Sequence, residues 1–76
     1  MSAEQPWELL SLDESLSRLA KMDSRQAQIV ELRVFGGLSI EEIAQAVQVS
    51  PATVKRDWSM AKAWLTVEIE KSRNTS

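Results

Sequence analysis

The sequence contains no cysteine and no histidine. Without cysteine no disulfide can staple the fold, so a chain of 76 residues has to hold together by burying apolar surface in one small domain. The lack of both residues also removes the commonest nucleophile, general base and metal ligands. No glycine-rich phosphate loop replaces them, since the only two glycines are the adjacent Gly36 and Gly37. The carboxylates left for acid–base work, Glu31, Glu41 and Glu42, do not form a set, because neighbouring helical residues such as Glu41 and Glu42 project about 100° apart. An enzyme is not expected, nor a metal site, a cofactor or a small-molecule substrate. No run of about 18 apolar residues and no signal peptide is present, which points to a cytoplasmic protein without a membrane partner.

Positive charge is also scarce. A net charge of −2 and a pI near 5.0 exclude a protein that coats nucleic acid by bulk electrostatics. The distribution says more than the total. Residues 1–49 carry four bases against eight acids, whereas residues 50–76 carry five bases against three acids. A polyanion would therefore meet the last third of the chain, with the acidic remainder turned away. What the chain has in quantity is apolar surface, 43% of residues with three tryptophans, Trp7, Trp58 and Trp64, which suits a small helical bundle.

The most informative stretch is Leu38 to Leu65. Ser39 and Ser50 each precede an apolar periodic run, so two helices are expected to start only eleven residues apart. Ser39 and Glu42 have capping-box spacing, and Leu38 with Ile43 can form a hydrophobic staple. Ser50 is followed by Pro51, at the first helical position where a missing N–H is harmless, and Val49 with Val54 repeats the staple. Ile43, Ala44, Val47, Val49, Val54 and Trp58 supply the apolar groups over which two short helices close. This is the grammar of a helix-turn-helix. In the turn, where many such sequences use Gly, stands Gln48, which must either accept a left-handed backbone or use another turn geometry.

Residues 1–10 read as a tail or linker from which Trp7, Leu9 and Leu10 can dock, residues 11–71 as the domain, and residues 72–76 as a disordered polar tail. Ser11, in a box with Glu14, is expected to cap a helix from about Leu12 to Lys21 with Leu12, Leu16, Leu19 and Ala20 inward. Asp23 caps the next, from about Ser24 to Phe35, whose Ala27, Ile29, Val30, Leu32, Val34 and Phe35 cover more than one face and mark it as the centre of the core. Gly36 and Gly37 end it. Two more helices follow, at about Ile40 to Ala46 and Pro51 to Lys71. The expected class is all-α, a four-helix domain with a C-terminal helix-turn-helix.

On the last helix, Val54, Trp58, Ala61, Leu65 and Glu68 fall on one side and define the inward stripe. Ala52, Lys55, Arg56, Ser59, Lys62 and Ala63 fall on an opposite arc that is basic, small and free of carboxylates. Such an arc suits a DNA major groove, with Lys55 and Arg56 reaching base edges or phosphates and Ser50 and Thr53 at the helix N-terminus binding a phosphate. Taken alone, a basic arc is more often a solvated face, and the spacing of the two capped helices is what favours DNA. Ser39 serves as a cap first, Arg33 has Glu31 and Glu41 as alternative partners, and Asp57 is expected to pair with Arg56 or a neighbouring helix rather than meet DNA. Met60, Trp64 and Val67 form a second surface, either a cover for the first two helices or a protein contact.

The segment LDESLSRLAKMDSRQAQIVELRVFGGLSIEEIAQAVQVSPATVKRDWSMAKAWL resembles region four, the C-terminal domain, of bacterial RNA polymerase sigma factors of the extracytoplasmic-function group. FGGLSIEEIA followed by VSPATVKRDW carries most of the likeness. The resemblance implies a domain whose last helix reads the −35 promoter element, with other surfaces docking on the beta-flap of the RNA polymerase core and open to masking by an anti-sigma factor. It assigns DNA reading to Lys55, Arg56 and Ser59, backbone proximity to Pro51, Thr53 and Lys62, and phosphate contacts to Arg33 and Ser39. Relatives often have a basic residue at the place of Ser59 and Gly at that of Gln48. Region two, which melts the −10 element, does not fit beside region four in 76 residues, so Met1 is expected to open an excised domain, with a natural single-domain protein as the alternative. Two rival readings are a stand-alone helix-turn-helix regulator, which would dimerise on paired half-sites, and a protein-interaction domain that does not touch DNA.

Overall fold

The computed structural model describes residues 7–74, which form four α-helices with no strand among the described residues. They are α1 (Leu9–Met22), α2 (Ser24–Val30), α3 (Ile40–Val47) and α4 (Pro51–Asn74), with a π-helical segment, Glu31–Phe35, continuing α2. The all-α, four-helix class expected from periodicity is the one observed. Of the tails expected at residues 1–10 and 72–76, residues 1–6 and 75–76 lie outside the described residues, while residues 9–10 and 72–74 are helical.

Helix α1 opens three residues earlier than its cap signal suggested. Ser11 is inside the first turn, donating to Glu8 Oε1 at 3.3 Å, and Glu8 holds the N-cap position without its side chain accepting from a backbone N–H of the first turn. Trp7 packs against the core just upstream, and that tertiary contact outweighs a local cap worth about 1 kcal/mol. Leu12, Leu16 and Leu19 are buried as expected, while Ala20 is exposed and its place in the core is taken by Ser15, whose hydroxyl accepts from Arg18 Nη2 at 3.2 Å. Of the other two docking candidates upstream, Leu9 and Leu10 stay exposed.

A single non-helical residue, Asp23, joins α1 to α2. Its N–H closes α1 on Leu19 O at 2.7 Å, its carboxylate caps α2 by accepting from the Gln26 N–H at 3.1 Å, and its carbonyl accepts from the Ala27 N–H. Ala27, Ile29 and Val30 are fully covered. Beyond Val30 the backbone widens into the π segment, so Leu32 and Val34 are only half-buried and Phe35 is exposed, not part of the core as its apolar run implied. Both glycines after it are required, for different reasons. A Cβ on Gly36 would stand 2.7 Å from Leu32 O, and Gly37 adopts a φ of 68°.

Helix α3 carries the full capping box, Glu42 N–H to Ser39 Oγ at 3.1 Å and Ser39 N–H to Glu42 Oε1 at 2.8 Å. Gln48 takes the left-handed option, with φ 61° and ψ 48°, and the Val49 N–H returns to Ala44 O at 3.1 Å. A side chain in that region costs about 1 kcal/mol. Gln48→Gly is therefore expected to raise the melting temperature by about 5 °C, measured by circular dichroism. An unchanged midpoint would mean that the glutamine side chain offsets the strain.

Helix α4 extends three residues beyond the expected Lys71. Val54, Trp58, Ala61 and Leu65 are buried, as the periodicity required. At the next turn Ile69 is buried and Glu68 sits at the boundary, contrary to the expected inward place of Glu68. Covering an isoleucine is favourable where covering a carboxylate is not. Glu68 instead meets Arg18 of α1 at 3.5 Å and Lys71 at 3.4 Å. Both α2 and α4 touch each of the other helices, so the core lies between them. No described helix is long and apolar enough to cross a membrane.

Candidate nucleic-acid interface

The apolar groups that hold α4 lie on one side of it, which leaves the other side available. Ala52, Lys55, Arg56, Ser59, Lys62 and Ala63 are all exposed, opposite the buried row from Val54 to Leu65. Lys62 is not loose on this surface, since its Nζ lies 5.6 Å from the centroid of the Trp58 ring, within reach of a cation–π attraction. The tryptophan thus anchors the helix with most of its surface and steadies one of the arc's cations with its face.

The start of α4 is built by Ser50, whose Oγ accepts from the Thr53 N–H at 3.2 Å and lies 3.0 Å from Thr53 Oγ1. Ser50 and Pro51 are exposed and Thr53 is half-buried. Seven of the nine residues expected to contact DNA, Ser50, Pro51, Thr53, Lys55, Arg56, Ser59 and Lys62, therefore follow one another along a single helix start. The other two gather elsewhere, at the entry to α3. Ser39 is engaged in its capping box, and Arg33 donates from Nη1 to Leu38 O at 2.9 Å rather than pairing with Glu31 or Glu41. The loop after the π segment leaves that carbonyl outside any helix, and a guanidinium satisfies it.

Asp57 is the one acid on the early turns of α4, and it is only 3% exposed. Its Oδ2 accepts from Arg25 Nε of α2 at 2.8 Å, and its Oδ1 lies 3.9 Å from Arg56 Nε. Both partners foreseen for Asp57, Arg56 and a neighbouring helix, are present together. Arg25 itself escaped the sequence reading. Its only signal was that Asp57 falls beside the inward stripe, where a carboxylate needs a cation from another element. Among the described residues, no group of three or more acidic side chains is placed to hold a metal ion.

Away from this arc, Trp64 is half-buried and packs on the core, while Met60 and Val67 flank it in solvent. On the side of α1, the exposed Leu9, Leu10 and Phe35 join Asp13 around an open groove of about 520 Å³.

A family model described as ECF sigma factor matches residues 1–71. No curated protein and no solved structure matches the chain. With nearly its whole length matched, the chain belongs to the ECF sigma factor family, the factors that serve RNA polymerase in initiating transcription at promoter DNA.

Proposed function

We propose that the chain is a region-four domain that reads the −35 promoter element through α4. The observation that carries this reading is the division of α4 into a buried face, Val54, Trp58, Ala61 and Leu65, and an exposed arc of Lys55, Arg56, Ser59 and Lys62 from which the neighbouring acid, Asp57, has been withdrawn. A helix held by one face and presenting cations and small polar groups on the other fits the major groove. Lys55 and Arg56 read base edges, Ser59 lies close enough to the bases for a hydroxyl contact, and Lys62, Pro51 and Thr53 follow the backbone. Ser50 and the helix start receive a phosphate. Arg33 and Ser39 are already engaged within the domain, so any phosphate they meet adds to an existing bond rather than replacing one.

Binding by the isolated chain is expected to be weak, because a sigma factor gains affinity by engaging polymerase and promoter at several points at once. The beta-flap of the polymerase takes a surface other than the basic arc, and the exposed Leu9, Leu10 and Phe35 supply apolar area for it; an anti-sigma factor would compete for such area. The test is enrichment of duplexes from a random-sequence library with the wild-type chain at low salt, where weak binding is retained. One short ungapped motif is expected, whereas a pair of half-sites bound by a dimer would favour the stand-alone regulator, and no motif would favour a protein-interaction domain. Titrating salt on the enriched duplex counts phosphate contacts. With three cations on the arc, the slope of log K against log salt should be no steeper than about −3.

A further inference from the structure

The cluster Arg25–Asp57–Arg56 joins the interior of the domain to the arc proposed above to read DNA. Asp57 is covered by its own molecule, yet it lies directly beside Arg56 on α4. A buried carboxylate without a partner is strongly unfavourable, and a conservative need for helix packing would be met as well by an apolar residue. Here one oxygen is held at 2.8 Å by the Nε–H of Arg25, from another helix, and the other faces the Arg56 guanidinium at 3.9 Å. The side-chain exposures run in sequence, 4% for Asp57, 43% for Arg25 and 67% for Arg56. The anion is therefore enclosed, and the outer cation has open space around it for several rotamers.

We propose that Asp57 is a positioning residue for Arg56, held for that task by Arg25. The inference rests on the reading of α4 as the DNA-contacting helix. At 3.9 Å the carboxylate attracts the guanidinium without consuming its N–H donors, so Arg56 keeps its full fork for a base edge while exploring fewer rotamers. Specificity depends on that geometry, because a bidentate contact to a base discriminates only when both N–H groups are aligned. Arg25 also compensates the charge of Asp57, so the anion orients Arg56 without opposing the approach of phosphate.

The test uses the full chain and the duplex enriched by the wild-type protein, compared with a shuffled duplex of the same composition. Asp57→Asn preserves shape and removes the charge. Its ratio of specific to non-specific affinity is expected to fall about tenfold, mainly through weaker binding to the enriched duplex. In an Arg56→Ala background the same change should have no further effect on the ratio, a coupling that a purely structural role for Asp57 would not produce. Arg25→Lys, which keeps a positive partner but not the fixed Nε–H, carries the test if Asp57→Asn does not fold, and should lose about threefold in the ratio. A wild-type ratio in either folded variant, or a loss that persists without Arg56, overturns the positioning role while leaving DNA reading by α4 intact. A wild-type chain that enriches no sequence overturns both.

Discussion

A chain carrying Lys55→Ala and Arg56→Ala is expected to lose about 100-fold in affinity for its enriched duplex, with a thermal midpoint within a few degrees of the parent. Both side chains are exposed, so their removal deletes no core volume, and the buried Asp57, which loses Arg56, keeps its 2.8 Å bond from Arg25. Surface changes of that kind usually shift stability by less than about 0.5 kcal/mol. The binding loss has a different scale. A well-placed contact to a base is worth about 1–3 kcal/mol, and losing two of them reaches the hundredfold range. In a full-length sigma factor carrying this domain, the same double change should fail to support initiation in a promoter-recruitment assay with polymerase. Full recruitment would leave the arc as a solvated face and remove promoter reading from the function of α4.

The second large effect lies on the opposite side of the same helix. Trp58→Ala should cost about 3–5 kcal/mol, because it empties the volume of a ring packed among Val54, Ala61 and their neighbours. A domain of this size is stable by about 4–11 kcal/mol, so the change takes away a large share of the whole. Loss of most helical circular dichroism near 37 °C is the expected readout. Trp58→Phe keeps much of the apolar area and should melt cooperatively at a moderately lower temperature. Since Lys62 lies over the Trp58 ring, the phenylalanine variant also weakens the steadying of that cation, an effect to be read in binding once the protein is shown to be folded. A Trp58→Ala chain that melts like the parent would contradict the assignment of this residue to the core.

How much of this was legible beforehand depended on whether the deciding interaction was local. Ser39, Glu42, Ser50 and Asp23 cap where their spacing placed them, because a cap is decided by residues within one turn. The buried stripe of α4 was readable up to Leu65 for the same reason. Legibility failed where a distant contact decides. Ser11 offers a good local start to α1 and is overruled by the docking of Trp7. Phe35 belongs to an apolar run but is turned outward by a π segment that no residue type announces. Glu68 gives way to Ile69 and sits at the boundary, where it meets Arg18 of α1. On α4 the exposed positions of Lys55, Arg56, Ser59 and Lys62 follow from periodicity alone, whereas Arg25 has no such signal, since its bond to Asp57 spans 32 positions along the chain.

The corner at Asp23 bears on how the first two helices depend on one another. One residue separates the two helices there, and its amide, carbonyl and carboxylate are all engaged, so the joint has almost no torsional slack. The angle between the two helices is thus set by one residue, and the second helix carries Arg25. Replacing Asp23 would therefore remove the end of one helix and the start of the next in a single change.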